Sequence, residues 1–180
     1  VDTIADGIAT RQVGDRTFAI IEERVDEVVT VSDPEIAVAI TTLLERSKVL
    51  AEGAGAVAMA AVLSEAFAYE EGEVIVPALS GGNIDLNLLR TVVMRGLVES
   101  GRYLRLRTTL ADQPGSLEQL IQIIADQRAN IHAIEHDRTS RDSGMTATEV
   151  ELDLETRGED HVSTLLDELE SNGYSVDVLV

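Results

Sequence analysis

With 180 residues, 44% of them apolar, the chain can bury a core and is long enough for one ordinary domain or two small ones. Its 33 acidic residues against 14 basic ones give a formal charge of −19, which argues against nucleic acid and anionic membrane surfaces as partners, because both need a cationic surplus. There is no cysteine, hence no disulfide and no thiolate nucleophile, and no apolar run approaches the roughly 18 residues of a membrane span. Only one basic residue, Lys48, is lysine, and that scarcity beside the acid excess is expected of a protein adapted to high salt; a merely acidic cytosolic protein is the alternative. The start, Val1-Asp2-Thr3, is neither a signal peptide nor an initiator methionine, so a longer polypeptide is expected.

In chain order, residues 3–8 read as an irregular lead-in. Residues 17–24 have helical character, and 27–31 alternate into a strand that closes at Ser32-Asp33-Pro34. Ser32 or Asp33 as N-cap, Pro34 in the first turn and Glu35 soon after predict a helix, with Ile36, Ile40, Leu43 and Leu44 as its apolar face and an end near Ser47-Lys48. A second helix, from Ala51 to about Ala68, is dense in small residues and lets another backbone pack close. Glu52 stands at its start, where a carboxylate suits the positive end of the helix dipole, so capping is the plain role for it.

The stretch from 74 to 85, VIVPALSGGNID, reads as a buried strand feeding a tight loop. A helix to about Glu99 should follow, with Leu86, Leu89, Val93 and Leu97 at helical spacing. Ser80 to Asn83 then sit where a strand ends and a helix begins, the usual place for ligands of open α/β sheets. Two glycines let backbone approach something flat or anionic, and Ser80 offers a hydroxyl that both donates and accepts.

Three of these stretches, Thr-Ile-Ala-Asp-Gly-Ile at 3–8, Ala-Glu-Gly-Ala-Gly-Ala at 51–56 and Ser-Gly-Gly-Asn-Ile-Asp at 80–85, resemble in that order the latter part of the threonine dehydratase (threonine ammonia-lyase) and serine racemase family. The resemblance implies a pyridoxal-phosphate enzyme of the tryptophan-synthase-β fold type, with residues 1–100 as the carboxyl-terminal part of its catalytic domain. It also implies that Ser80 faces the ring nitrogen of pyridoxal 5'-phosphate, that Gly81, Gly82 and Asn83 shape the same wall, and that Glu52 joins the polar network at its edge. The Schiff-base lysine and glycine-rich phosphate loop of that family are expected upstream, so no catalytic residue is assigned here. Lys48, near a helix end where a cation meets the negative pole, reads as structural.

From Ser100-Gly101 the pattern changes to alternating strands and two amphipathic helices within about 80 residues, a second compact unit. Residues 103–110 are a strand, 112–116 a turn, and 116–127 a helix burying Leu117, Leu120, Ile121 and Ile124. Strands at 130–138 and 146–156, joined through a polar turn at 140–144, precede a helix at 159–171 and a last strand at 174–180. His132 and His136 should share one face, and the carboxylates of 149–160 read as an exposed acidic rim.

This βαββαβ order, α+β and ferredoxin-like, resembles an ACT domain, and 101–180 is expected to be that regulatory unit. Asp112-Gln113-Pro114-Gly115-Ser116-Leu117 followed by Asn130 and Ile131 resembles its ligand motif. Helix N–H groups after the turn suit a carboxylate and Asp112 an ammonium, so an amino acid is the effector to expect; turn-capping alone is the alternative.

The implied activity is conversion of L-threonine to 2-oxobutanoate and ammonia in the cytoplasm, by a homo-oligomer paired in part through ACT units, with isoleucine as effector if the role is biosynthetic. Metal ligation is not expected. A non-catalytic amino-acid-binding module and a serine racemase or serine dehydratase are the alternatives.

Overall fold

The computed structural model describes residues 2–138 and 146–180, so the polar turn expected at 140–144 lies outside the described residues. The chain is mixed α/β and divides into two compact units, Val1–Glu99 and Ser100–Val180, and every strand among the described residues lies in the second. None of the described helices is long and apolar enough to cross a membrane.

The first unit carries four α-helices: α1 (Asp15–Arg24), α2 (Asp33–Thr42), α3 (Gly53–Leu63) and α4 (Leu86–Glu99). The start of α2 follows from local chemistry: Ser32 Oγ accepts from Glu35 N, the Glu35 carboxylate reaches back to Ser32 N, and Pro34 sits in the first turn. Those bonds, backbone first, hold the Glu35 carboxyl below its ordinary 4.5. After α2 a single π-turn, Leu43–Ser47, ends on Lys48, which is left-handed (φ +57°) and donates Nζ to Glu45 O at 2.6 Å. Lys48 is thus a helix-terminating residue. The core comprises Ile36, Ala37, Ala39, Ile40 and Leu43 against Ala56 and Ala60 of α3 and Val92 of α4.

Four expectations for this unit are corrected. No strand forms at 27–31 or at 74–77; Val74 and Val76 stand 88% and 83% exposed. A strand is stabilised by a neighbour that takes up its N–H and C=O groups, and the described part of this unit offers none. The helix begun after Ala51 stops at Leu63 rather than Ala68. Helix α4 buries Val92 and Gly96; of the expected positions Leu86, Leu89, Val93 and Leu97, Leu89 packs on the core while Leu86 is 75% exposed, because the helix closes on α2 where Gly96 meets Ala37 O and Thr41.

The second unit follows the expected order: β1 (Tyr103–Ala111), α5 (Ser116–Asp126), β2 (Asn130–Asp137), β3 (Ala147–Glu155), α6 (Glu159–Ser171) and β4 (Val176–Val178). Its sheet runs β2-β3-β1-β4, antiparallel at every junction, the ferredoxin-like arrangement. Alternation in β1 turns Leu104, Leu106 and Leu110 inward, where they meet Val150, Leu152 and Leu154 of β3 and Leu120, Ile124, Leu165 and Leu169 of the two helices. The last strand is shorter than expected, though Arg105 continues the backbone pairing through Leu179 and Val180.

On the other face of the sheet the carboxylates of β3 are not a free acidic rim. Arg105 grips Asp153 through Nε and Nη2, the latter at 2.8 Å, directly across the ladder, and Arg107 pairs with Glu151 at 2.5 Å and Glu149 at 3.5 Å. The Arg105 guanidinium first, then the Tyr103 hydroxyl, hold the Asp153 carboxyl below its ordinary 3.8 despite desolvation. A depressed folded-state pKa contributes stability that is present above the unfolded value and lost as pH falls through the folded one. Asp153→Asn should therefore lower stability by about 1 kcal/mol near neutral pH, after allowing for screening of the half-exposed arginine. The gap from the parent should close below about pH 4. Urea midpoints at both ends of that range test it; a gap that does not change with pH rules out the ion pair as its source.

Candidate cofactor and effector sites

In the first unit, three stretches distant in sequence meet at Glu52. Its backbone N–H donates to Gly81 O at 3.3 Å, and its carboxylate Oε2 accepts from Asn83 N at 2.9 Å. The same carboxylate makes no cap bond to α3, so capping is not its role; it staples the 80–83 loop. Gly81 is left-handed at φ +81°, and a Cβ there would fall 2.3 Å from Glu52 Oε1. Behind the loop, a Cβ on Gly55 would lie 1.9 Å from Ser80 O, and one on Gly82 would lie 2.8 Å from Leu50 O. The 3–8 stretch joins through Gly53, whose Cβ would lie 2.0 Å from Ile4 O, while Ile4 N and Thr3 Oγ1 donate to Asp33.

Ser80, Gly81, Gly82, Asn83 and Glu52 are thus held together, with the backbone of the loop pressed against α3 and its outer side exposed. The Ser80 hydroxyl makes no hydrogen bond among the described residues. A hydroxyl in that position fits a heteroaromatic nitrogen, which it can meet as donor or acceptor. A phosphate cradle and a free lysine are not found beside it among the described residues, since the amine of Lys48 is engaged with Glu45. A cavity of about 300 Å³ lies apart from the loop; Ile4, Pro34, Ala37, Leu88 and Val92 give it a mostly apolar surface, with Asp33, Thr91 and Arg95 also in its lining.

In the second unit, Asp112, Pro114, Gly115, Ser116 and Leu117 all line one cavity of about 310 Å³. Helix α5 starts beside it with no side-chain cap, after Gly115 at φ +94°. Leu110, Ala111, Gln113, His136, Arg138 and Thr148 complete the lining. Asn130 and Ile131 do not: they sit at the far end of β2, about 20 Å away at strand rise, where Asn130 Nδ2 donates to Glu155 Oε2 at 3.0 Å and Ile131 packs on the core.

His136, Arg138 and Thr148 were not legible as part of the site, because only the strand order places the ends of β2, β3 and β1 side by side. A polar triplet at strand ends next to a Pro-Gly turn is the one local sign of them. The pairing of His132 and His136 on one face also fails. A bulge between Ile131 and Ala133 takes up one residue and shifts the alternation; His136 then lines the cavity while His132 falls in the bulge.

Residues 1–81 match the family described as pyridoxal-phosphate dependent enzyme. Over 177 residues, 98% of the chain, it is 50% identical to the L-threonine ammonia-lyase of Geobacter sulfurreducens and 42% identical to that of Thermotoga maritima. Each alignment covers 44% of the relative, so the chain spans less than half the length of these proteins. Among solved structures, the ACT domain from the GTP pyrophosphokinase of Chlorobium tepidum aligns with 43% of the chain and 96% of its own length, at 23% identity and a TM-score of 0.35.

Proposed function

We infer that this chain, similar to the threonine ammonia-lyases over 98% of its length, is the carboxyl-terminal part of such an enzyme: residues 1–100 from its pyridoxal-phosphate domain and 101–180 an amino-acid-sensing ACT domain. The observation that carries this is the junction of three separated stretches on Glu52, which leaves the Ser80 hydroxyl exposed on a loop whose backbone is immobilised from behind. When bound, pyridoxal phosphate supplies an electron sink that weakens the bonds at the substrate's α-carbon. Ser80 would face its ring nitrogen with a neutral hydroxyl and so tune that sink, which would favour loss of a β-hydroxyl over transamination. Glu52 acts one step back, fixing the loop through Asn83 N and Gly81 O so that the hydroxyl does not wander.

The lysine and phosphate loop that such chemistry needs come from outside these residues, and the chain alone is inactive. The second unit senses a free amino acid in the cavity beside the 112–116 turn. The whole protein is a cytoplasmic homo-oligomer paired in part through its second units.

The test uses the protein expressed from its whole reading frame. It should release 2-oxobutanoate from L-threonine faster than pyruvate from L-serine. Ser80→Ala should lower turnover about tenfold, the worth of one well-placed hydrogen bond, and shift the cofactor's absorbance. Racemised serine as the main product favours the racemase; no product from either amino acid sinks the enzymatic reading.

A further inference from the structure

The cavity of the second unit holds an ion pair across its mouth. Arg138, at the end of β2, donates Nη2 to Asp112 Oδ1 at 2.6 Å, and both residues line the space together with Leu110, Leu117 and His136. We propose that Arg138 and Asp112 together recognise the zwitterionic head of an α-amino acid, Arg138 taking the carboxylate and Asp112 the ammonium, with the side chain lying over Leu110 and Leu117. This rests on the amino-acid-sensing reading of the second unit and assigns its specificity to a residue outside the turn.

The geometry suits the chemistry. An amino acid carries its two opposite charges on one carbon, as close together as the two halves of this pair. A guanidinium has five donors and a carboxylate two oxygens, so each can hold the other and still bind a second group. Asp112 Oδ2 has no hydrogen-bond partner among the described residues, and Asp112 N donates to Thr146 O at 2.9 Å, which fixes the backbone from which the carboxylate projects. In a chain of charge −19 a carboxylate ligand meets repulsion from most of the surface, and an arginine at the mouth gives it one local minimum. The rival receiver is the uncapped start of α5, whose first N–H groups also face a carboxylate well.

Calorimetric titration of the whole protein separates the two. L-isoleucine, L-valine, L-threonine and L-serine are tried in turn, each beside its reduced amino alcohol, which keeps the ammonium and lacks the carboxylate. Arg138→Gln should weaken the amino acid that binds about tenfold or more without weakening its amino alcohol, whose ammonium keeps Asp112, and Arg138→Lys should restore part of the loss. The side chain is 64% exposed, so the substitution should leave the melting temperature in place. Unchanged or tighter binding by Arg138→Gln overturns the assignment and gives the carboxylate to α5, while amino-acid sensing survives. No heat from any amino acid with the parent protein sinks the sensing reading, and the role of Arg138 with it.

Discussion

Gly55→Ala should cost the first unit about 2 kcal/mol or more, although alanine is the better helix former by about 1 kcal/mol. The obstacle is backbone: the new methyl would lie 1.9 Å from Ser80 O and 2.7 Å from Gly81 O. A side-chain neighbour could rotate aside, but a carbonyl moves only with its loop. The loop must therefore lift off α3, drawing Asn83 N from the Glu52 carboxylate and displacing the Ser80 hydroxyl. In the whole protein the variant should melt earlier and retain less cofactor by absorbance. Gly14→Ala is the control. Its methyl would meet only Thr17 Oγ1 at 4.0 Å, and stability should stay within about 0.5 kcal/mol of the parent. If Gly55→Ala melts and binds cofactor as the parent does, the packing of the loop on α3 is wrong.

Leu152→Ala should be the most damaging single truncation in the second unit, at about 3–4 kcal/mol. Leu152 is fully buried at the centre of β3, opposite Leu106 on one side and Ile134 on the other, so the missing atoms leave a cavity that both neighbouring strands hold open. A small domain has about 5–15 kcal/mol in total, so the variant approaches the unfolding threshold. Ile134→Ala, directly across the ladder but on the edge strand and 40% exposed, should lose only about 1 kcal/mol. Urea midpoints compare the two; equal losses would show that the helices cover β2 as fully as β3.

The two units were legible to different degrees, and the reason is the range of the interactions. Ser32, Pro34 and Glu35 announce α2 because a capping box closes within one turn. The order and nearly all the bounds of the second unit were readable because each strand alternates against a core that the same 80 residues supply. Val74 to Val76 has the composition of a strand and no strand partner among the described residues, and composition cannot supply one. The bulge at Ile131 and Ala133 escaped for the same reason: whether a strand takes up an extra residue is decided by the strand beside it.

The motifs at 3–8, 51–56 and 80–85 were recognisable as a set, and with them the kinship to threonine ammonia-lyases. The order of elements in the second unit, the apolar faces of its strands and helices, and the capping box of α2 are properties of neighbouring residues, so the sequence by itself determined them. Only the tertiary structure decided that Glu52 spends its carboxylate on Asn83 rather than on its own helix, that Asp153 lies paired under Arg105, and that Arg138 stands against Asp112 while Asn130 and Ile131 lie a strand's length away. Each of those outcomes sets one charged or amide group against a partner about 25 or more residues distant, and which partner wins depends on distances that exist only once the chain has packed.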